Sequence, residues 1–262
     1  MPTEDFIIEL FCQVDDAMLD ATKHSQATLF PSEVVTLALL FALKGRGNRA
    51  FYRWLTNNWL HFFPRLPHRT RLFRLFNTHR HWVEQFMAAP SLIGVIDSYG
   101  IELIHPRREG RSAKQIGKKG LSNQRWIVGG KLCLLLNHLG LVVGWDVDTA
   151  NVYDGTAFQP LVEAVAEEML VFADPHFAKS DWHPPNLKVC AKGTWNDRMM
   201  IETVLSMLTV VCHFKKVGHR VWDYFKSRVG YTMALFNILV QWHGLQPADD
   251  GFVHLSIAEF SL

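Results

Sequence analysis

Two short apolar runs in this chain each end on an aspartate: Leu92-Ile93-Gly94-Val95-Ile96 before Asp97, and Leu170-Val171-Phe172-Ala173 before Asp174. Runs this short, rich in β-prone residues, read as buried strands. A carboxylate at the end of a buried strand costs free energy unless something there needs negative charge. If the two strands are adjacent and parallel, both carboxylates emerge at one end of the sheet, where open α/β sheets place their ligand sites. Either aspartate alone also fits a plain turn cap, so the argument rests on the pair. A third acid, Glu202, opens the helical stretch Ile201 to Cys212 and borders its apolar stripe of Ile201, Val204, Leu205, Leu208 and Cys212. Three such groups brought together make a hard oxygen site for a divalent metal pair. Arg198, four residues earlier, shares a face with Glu202 and serves either a helical ion pair or a phosphate.

The texture of the chain changes near Ala89-Pro90-Ser91. Before it, apolar spacing predicts helices: one carrying Phe6, Ile7, Leu10, Phe11 and Val14, one from Pro31 to Leu43 with Ser32 as cap, one from about Asn48, and one from about His68 to Met87. Helix, glycine turn and basic helix resemble a helix-turn-helix arrangement. After the boundary the pattern predicts strands at 92–96, 99–104 (a hairpin partner), 126–136, 141–147, 170–173 and 187–190. Helices are expected at about 156–168, 197–214 and 229–242. The expectation is an α/β fold, with a helical, DNA-binding domain over residues 1–90 and a layered domain over 91–262.

A net charge of +2 hides a strong asymmetry. From Lys44 to Arg80 there are nine Lys/Arg and no Asp or Glu, and from Pro106 to Arg125 seven Lys/Arg against Glu109 alone. These stretches carry +15 between them, which leaves −13 on the remainder. Such segregation marks a polyanion-binding protein. The expected nucleic-acid contacts are Arg46, Arg49, Arg53, Arg69, Arg71 and Arg74 on the helices, and Arg107, Arg108, Arg111, Lys118 and Lys119 in the basic loop. Lys131 reads equally as a strand cation or a DNA contact. The aromatics Phe51, Tyr52, Trp54, Trp59, Phe62 and Phe63 read as core. Four scattered cysteines and the histidines His105, His176 and His213 show no zinc spacing. The start Met1-Pro2-Thr3-Glu4-Asp5 has no basic signal-peptide region, and the run near Val34 to Leu43 is too short to span a bilayer. A cytoplasmic protein without membrane contact is expected.

The order Asp97, Asp174, Glu202 resembles the acidic triad of bacterial insertion-sequence transposases with a ribonuclease-H-like core, the DDE type. Thr149-Ala150-Asn151-Val152-Tyr153-Asp154 looks like that family's Pro-Gly-Asn-x-x-Asp turn, Gly129-Gly130-Lys131-Leu132 like its Gly-x-Lys-Leu strand, and Arg198-x-x-x-Glu202 like its Arg-x-x-x-Glu signature. Trp195 lies where an aromatic is usual, and Pro31 to Thr36 resembles the helical domain of one branch. Thr209 stands where the family usually has a lysine, a loss of charge toward DNA rather than of a metal ligand.

The resemblance implies a ribonuclease-H-like mixed sheet flanked by helices and preceded by an all-α domain. It implies metal-dependent hydrolysis of a phosphodiester at element ends, then strand transfer into target DNA. Asp97, Asp174 and Glu202 would hold two Mg²⁺ (or Mn²⁺) ions, with Arg198 on a phosphate. The implied partner is double-stranded DNA, as terminal inverted repeats and target, bound by a homodimer. Two other readings stay open: a decayed or repurposed DNA-binding protein, and a Mg²⁺-dependent nuclease that does not join strands.

Overall fold

A computed structural model describes residues 1–122, 125–179, 183–190, 198–214, 217–246 and 255–260. The first third is helical, as apolar periodicity dictates: α1 (Thr3–Ala17), α2 (Pro31–Lys44), α3 (Asn48–Asn58) and α4 (Arg69–Thr78). Helix α2 starts at Pro31 as expected, but its N-cap is Phe30 rather than Ser32, and the Glu33 carboxylate accepts a hydrogen bond from the Phe30 N–H at 2.6 Å. The helix expected from His68 to Met87 stops at Thr78 and resumes as a 3-10 segment, Arg80–Phe86, that buries Val83 and Phe86.

Among the described residues six strands follow: β1 (Ile93–Ile104), β2 (Lys118–Ser122), β3 (Arg125–Asn137), β4 (Val142–Thr149), β5 (Leu170–Ala173) and β6 (Leu187–Val189). They form one mixed sheet in the order β2-β3-β1-β5-β6, with β4 also on β3. Strand β3 is long enough to take two partners along one edge, β2 beside Arg125–Gly129 and β4 beside Gly130–Leu136. Its other edge pairs antiparallel with β1 from Val128 to Asn137. This is an α/β fold with a curled mixed sheet flanked by helices, consistent with a ribonuclease-H-like core.

Two expectations fail here, for one reason. Residues 99–104 are not a hairpin partner of 92–96; β1 is a single strand of 12 residues that runs straight through Asp97 and Ser98. Residues 118–122, expected in a basic loop, form the edge strand β2. In both places pairing to the long β3 overrides the local sequence signal. Gly120 permits the second pairing, because a Cβ there would collide with the Ala150 carbonyl in the turn after β4. The expected helix at 156–168 is two short ones, α5 (Asp154–Ala157) and α6 (Gln159–Glu163).

Helix α7 (Arg198–Val210) packs on β1. Helix α8 (Trp222–His243) begins seven residues before its expected start and is buried nearly all round from Ser227 to Val240, the signature of a central helix. It packs against α2, α4, the 3-10 segment and β4. One continuous apolar cluster therefore runs from Phe6 through Val95 and Leu134 to Leu239. Residue 90 divides helices from strands along the chain, yet the core is shared across it. No helix among the described residues is long and apolar enough to cross a membrane.

Asn237, fully buried on α8, clamps this junction. Its amide donates to the carbonyls of Phe86 (2.9 Å) and Val142 (2.7 Å) and accepts from the Val142 N–H (2.8 Å). Asn237→Leu would leave the Phe86 carbonyl and the Val142 N–H buried without these bonds. We expect a loss of about 2–6 kcal/mol, at roughly 1–3 per orphaned group. Urea unfolding checks it, and a loss below about 1 kcal/mol would refute the clamp.

Candidate active site

Alternation along the strands sorts the sheet into two faces. Val95, Ile101, Leu132, Leu134 and Leu136 pack with Ile201, Val204 and Leu208 of α7. Ile96, Cys133, Leu135, Val171 and Ala173 pack with Phe158 and Val162 on the opposite side. Asp97 shares the parity of Val95, and Asp174 that of Phe172, so continued alternation sends both toward the α7 side.

Strands β1 and β5 run parallel, with Ile96 opposite Ala173 as the last pair. Asp97 and Asp174 each follow that last pair, Asp97 still within β1 and Asp174 just past the end of β5. Asp97 is thus not at the end of its strand, as the sequence implied, but at the end of the parallel pairing. Both aspartates are half-buried. Asp97 accepts a hydrogen bond from the Ser98 N–H at 2.7 Å, and Asp174 from the His176 N–H at 2.8 Å as it caps the turn Pro175–Lys179.

Glu202 lies on the helix that packs over this face, with its side chain exposed while Ile201 and Val204 are buried. Among the described residues, no group of three or more His, Cys, Asp and Glu side chains is arranged to hold a metal ion. Strand pairing brings Asp97 and Asp174 to neighbouring positions, and Glu202 lies on the helix that packs against β1. Donor chemistry at the pair suits a hard divalent cation, being all carboxylate oxygen. The side chain of Arg198, and Trp195 altogether, lie outside the described residues.

Behind Asp97, on the opposite face, sits a polar brace. Lys131 Nζ lies 2.9 Å from Asp154 Oδ1 and donates to the Val152 carbonyl at 2.9 Å. Ser98 Oγ donates to Asp154 Oδ2 at 2.9 Å. The Lys131 and Asp154 side chains are only 11% and 13% exposed, which strengthens their attraction. The neighbouring residue, Tyr153, donates its hydroxyl to the His176 carbonyl in the turn that follows Asp174. The start of α5 thus holds both the strand bearing Asp97 and the turn bearing Asp174. Lys131, expected as an open strand cation or a DNA contact, is instead buried and held by Asp154. Its place on β3, covered by β1 and β4, is the reason.

Nearby Cys133 is fully buried, and its thiol is pushed well up by burial, then by the charges of Asp154, Asp97 and Asp146. It stays protonated and is no metal ligand at neutral pH. His105 caps the turn at Pro106–Arg108 through Nδ1.

The remaining basic residues are placed variously. Arg46, Arg49, Arg53, Arg71, Arg74, Arg107, Arg108, Arg111, Lys118 and Lys119 are exposed, and Arg69 is half-buried. Lys119 pairs with Glu109 at 3.4 Å and lies over the Trp126 ring. Strand β1 carries the 105–111 segment away from Asp97. Seven residues at ~3.4 Å each make about 24 Å, the length of roughly seven base pairs of duplex.

Residues 88–188 match the model of the family described as transposase DDE domain. The matched segment contains Asp97, Asp174 and the Lys131–Asp154 brace, and ends before Glu202. No curated protein matches the chain.

Proposed function

We infer from the transposase DDE domain carried by residues 88–188 that this chain cuts phosphodiester bonds at the ends of a DNA element and joins the freed 3′ ends to target DNA. One observation supports the chemistry most: the parallel pairing of β1 with β5 that sets Asp97 beside Asp174. Two half-buried carboxylates in adjacent strands repel each other unless a cation lies between them. Asp97 and Asp174 are proposed to hold divalent metal, Mg²⁺ or Mn²⁺, with Glu202 of the overlying α7 as the third donor. Two such ions, when bound, lower the pKa of water and offset charge on the departing 3′ oxygen. Asp97 and Asp174 would hold these ions where the scissile phosphate meets the end of the parallel pairing, and Arg198 would orient one of the phosphate oxygens. The brace of Lys131, Asp154 and Ser98 holds the two strand ends in register for this.

The exposed arginines of α3 and α4 are proposed to grip the duplex backbone. Phosphate contacts of this kind give affinity and register, not sequence choice. Holding two element ends at once calls for a homodimer on DNA. Arg71→Ala/Arg74→Ala is expected to flatten the plot of log binding constant against log salt by about two, roughly 0.9 per lost phosphate contact. An unchanged slope would turn α4 away from the DNA.

A second reading is a DNA-binding protein without catalysis. It is favoured by Thr209, which stands where the resembled family usually has a lysine. A joining assay with pre-nicked element ends and Mg²⁺ or Mn²⁺ decides. Joined product supports the transposase. Nicking without joining means a nuclease, and binding with neither means the non-catalytic reading is right.

A further inference from the structure

Arg228 sits on α8 at 4% exposure, where it joins the apolar interior between α2, α3, α4 and α8. Its guanidinium stands over the Phe41 ring at 4.6 Å, and one Nη donates to the Arg46 carbonyl at a long 3.5 Å. Nε and the other Nη have no hydrogen-bond partner among the described residues. Burial pulls its pKa down to about 10, so it remains charged at neutral pH. A buried cation with two idle donors is costly, and its neighbours do not relieve the cost.

Arg228 forms part of the wall of a small cavity of about 20 Å³, room for one water-sized atom. Phe41, Asn48, His219, Tyr224 and Ser227 are among its walls, and no carboxylate lines it among the described residues. His219 is held neutral at pH 7, its pKa lowered to about 4 by burial and then by Arg228. Toward the surface the cavity reaches Asn48, the exposed first residue of α3. The first backbone N–H groups of a helix have no partner within it and attract anions. Arg46 and Arg49, both exposed, flank that point.

We propose that this cavity is a socket for one oxygen of a phosphate group, met inside by the idle N–H donors of Arg228 and at the mouth by the first turn of α3. Two sources supply that chemistry: a backbone phosphate of bound DNA, or free inorganic phosphate. The socket is on the helical side of the molecule and takes no part in the cutting reaction, so its test stands apart from nicking activity.

Thermal unfolding of the full chain is followed in inorganic phosphate, with ionic strength matched by chloride. Wild type is expected to gain about 3 °C when phosphate reaches roughly ten times its Kd. Arg228→Met should lose this gain, with an unliganded Tm at or above that of wild type, because an apolar side chain replaces an unpaired buried charge. Asn48→Asp keeps a good helix start and should fold as wild type, yet repel phosphate and lose the gain; it carries the test if Arg228→Met does not fold.

A second arm measures binding of random-sequence duplex against salt. A slope smaller by about one in Arg228→Met assigns the socket to a DNA phosphate. An unchanged slope with a lost phosphate response assigns it to the free anion. Variants that respond to phosphate as wild type does overturn the proposal. So does a wild type indifferent to phosphate whose slope Arg228→Met leaves unchanged.

Discussion

Asp97→Ala is expected to abolish metal-dependent nicking of DNA that carries the element's own ends, with a loss of at least about a thousandfold, while DNA binding survives. The size follows from the charge that a metal site contributes to phosphoryl transfer, several kcal/mol, at a factor of ten for each 1.4 or so. Survival of binding follows from geometry. Asp97 lies on the α7 side of the sheet, about 24 Å along β1 from the exposed arginines beyond Ile104, and removing a negative charge does not weaken attraction to a polyanion. Plasmid nicking and a filter-binding or mobility assay on the same preparation check both halves. Asp97→Ala that nicks at a tenth of the wild-type rate or better would refute the assignment. Glu202→Gln asks a separate question, because Glu202 is exposed on α7 while both aspartates are half-buried. A loss as large as that of Asp97→Ala means that α7 delivers its carboxylate when DNA and metal are bound.

The second large effect concerns the brace. Lys131→Met leaves Asp154 buried without its cation and the Val152 carbonyl without its donor. We expect about 3–5 kcal/mol of lost stability, the usual cost of breaking a buried pair from one side. Lys131→Met/Asp154→Asn removes both charges and keeps an acceptor for Ser98 Oγ, so most of the loss should return. Urea midpoints at constant m-value measure both. A single variant that loses less than about 1 kcal/mol, or a double variant no better than the single, would show that the pair is not what holds the strands.

Much of this was legible from residue patterns because the relevant forces are local. Helices α1 to α3 follow their apolar spacing, and β5 follows its short buried run. The adjacency of Asp97 and Asp174 was legible only as a condition, that the two strands be parallel neighbours. Other features are set by partners distant in sequence. Strand β1 passes through Asp97 without turning because β3 pairs with it from Gly94 to Ile104. Lys131 reads as a DNA contact on charge alone, and its burial is visible only once β4 returns alongside β3. The idle donors of Arg228 had a faint signal, a lone arginine at the head of the apolar stretch 229–240, but the expected helix began one residue too late to include it. Glu202 is the reverse case: its motif was clear, and the structure leaves its side chain exposed on α7.

Helix α8 has a consequence for how the polypeptide is made. It fills the space between α2 and β4, and it emerges from the ribosome only after both of them. Until then the sticky side of α2 has no cover, and the earlier helices wait as a loose collection that invites aggregation or chaperone capture. Folding of the whole is therefore expected to be a late, concerted event rather than a relay from front to back.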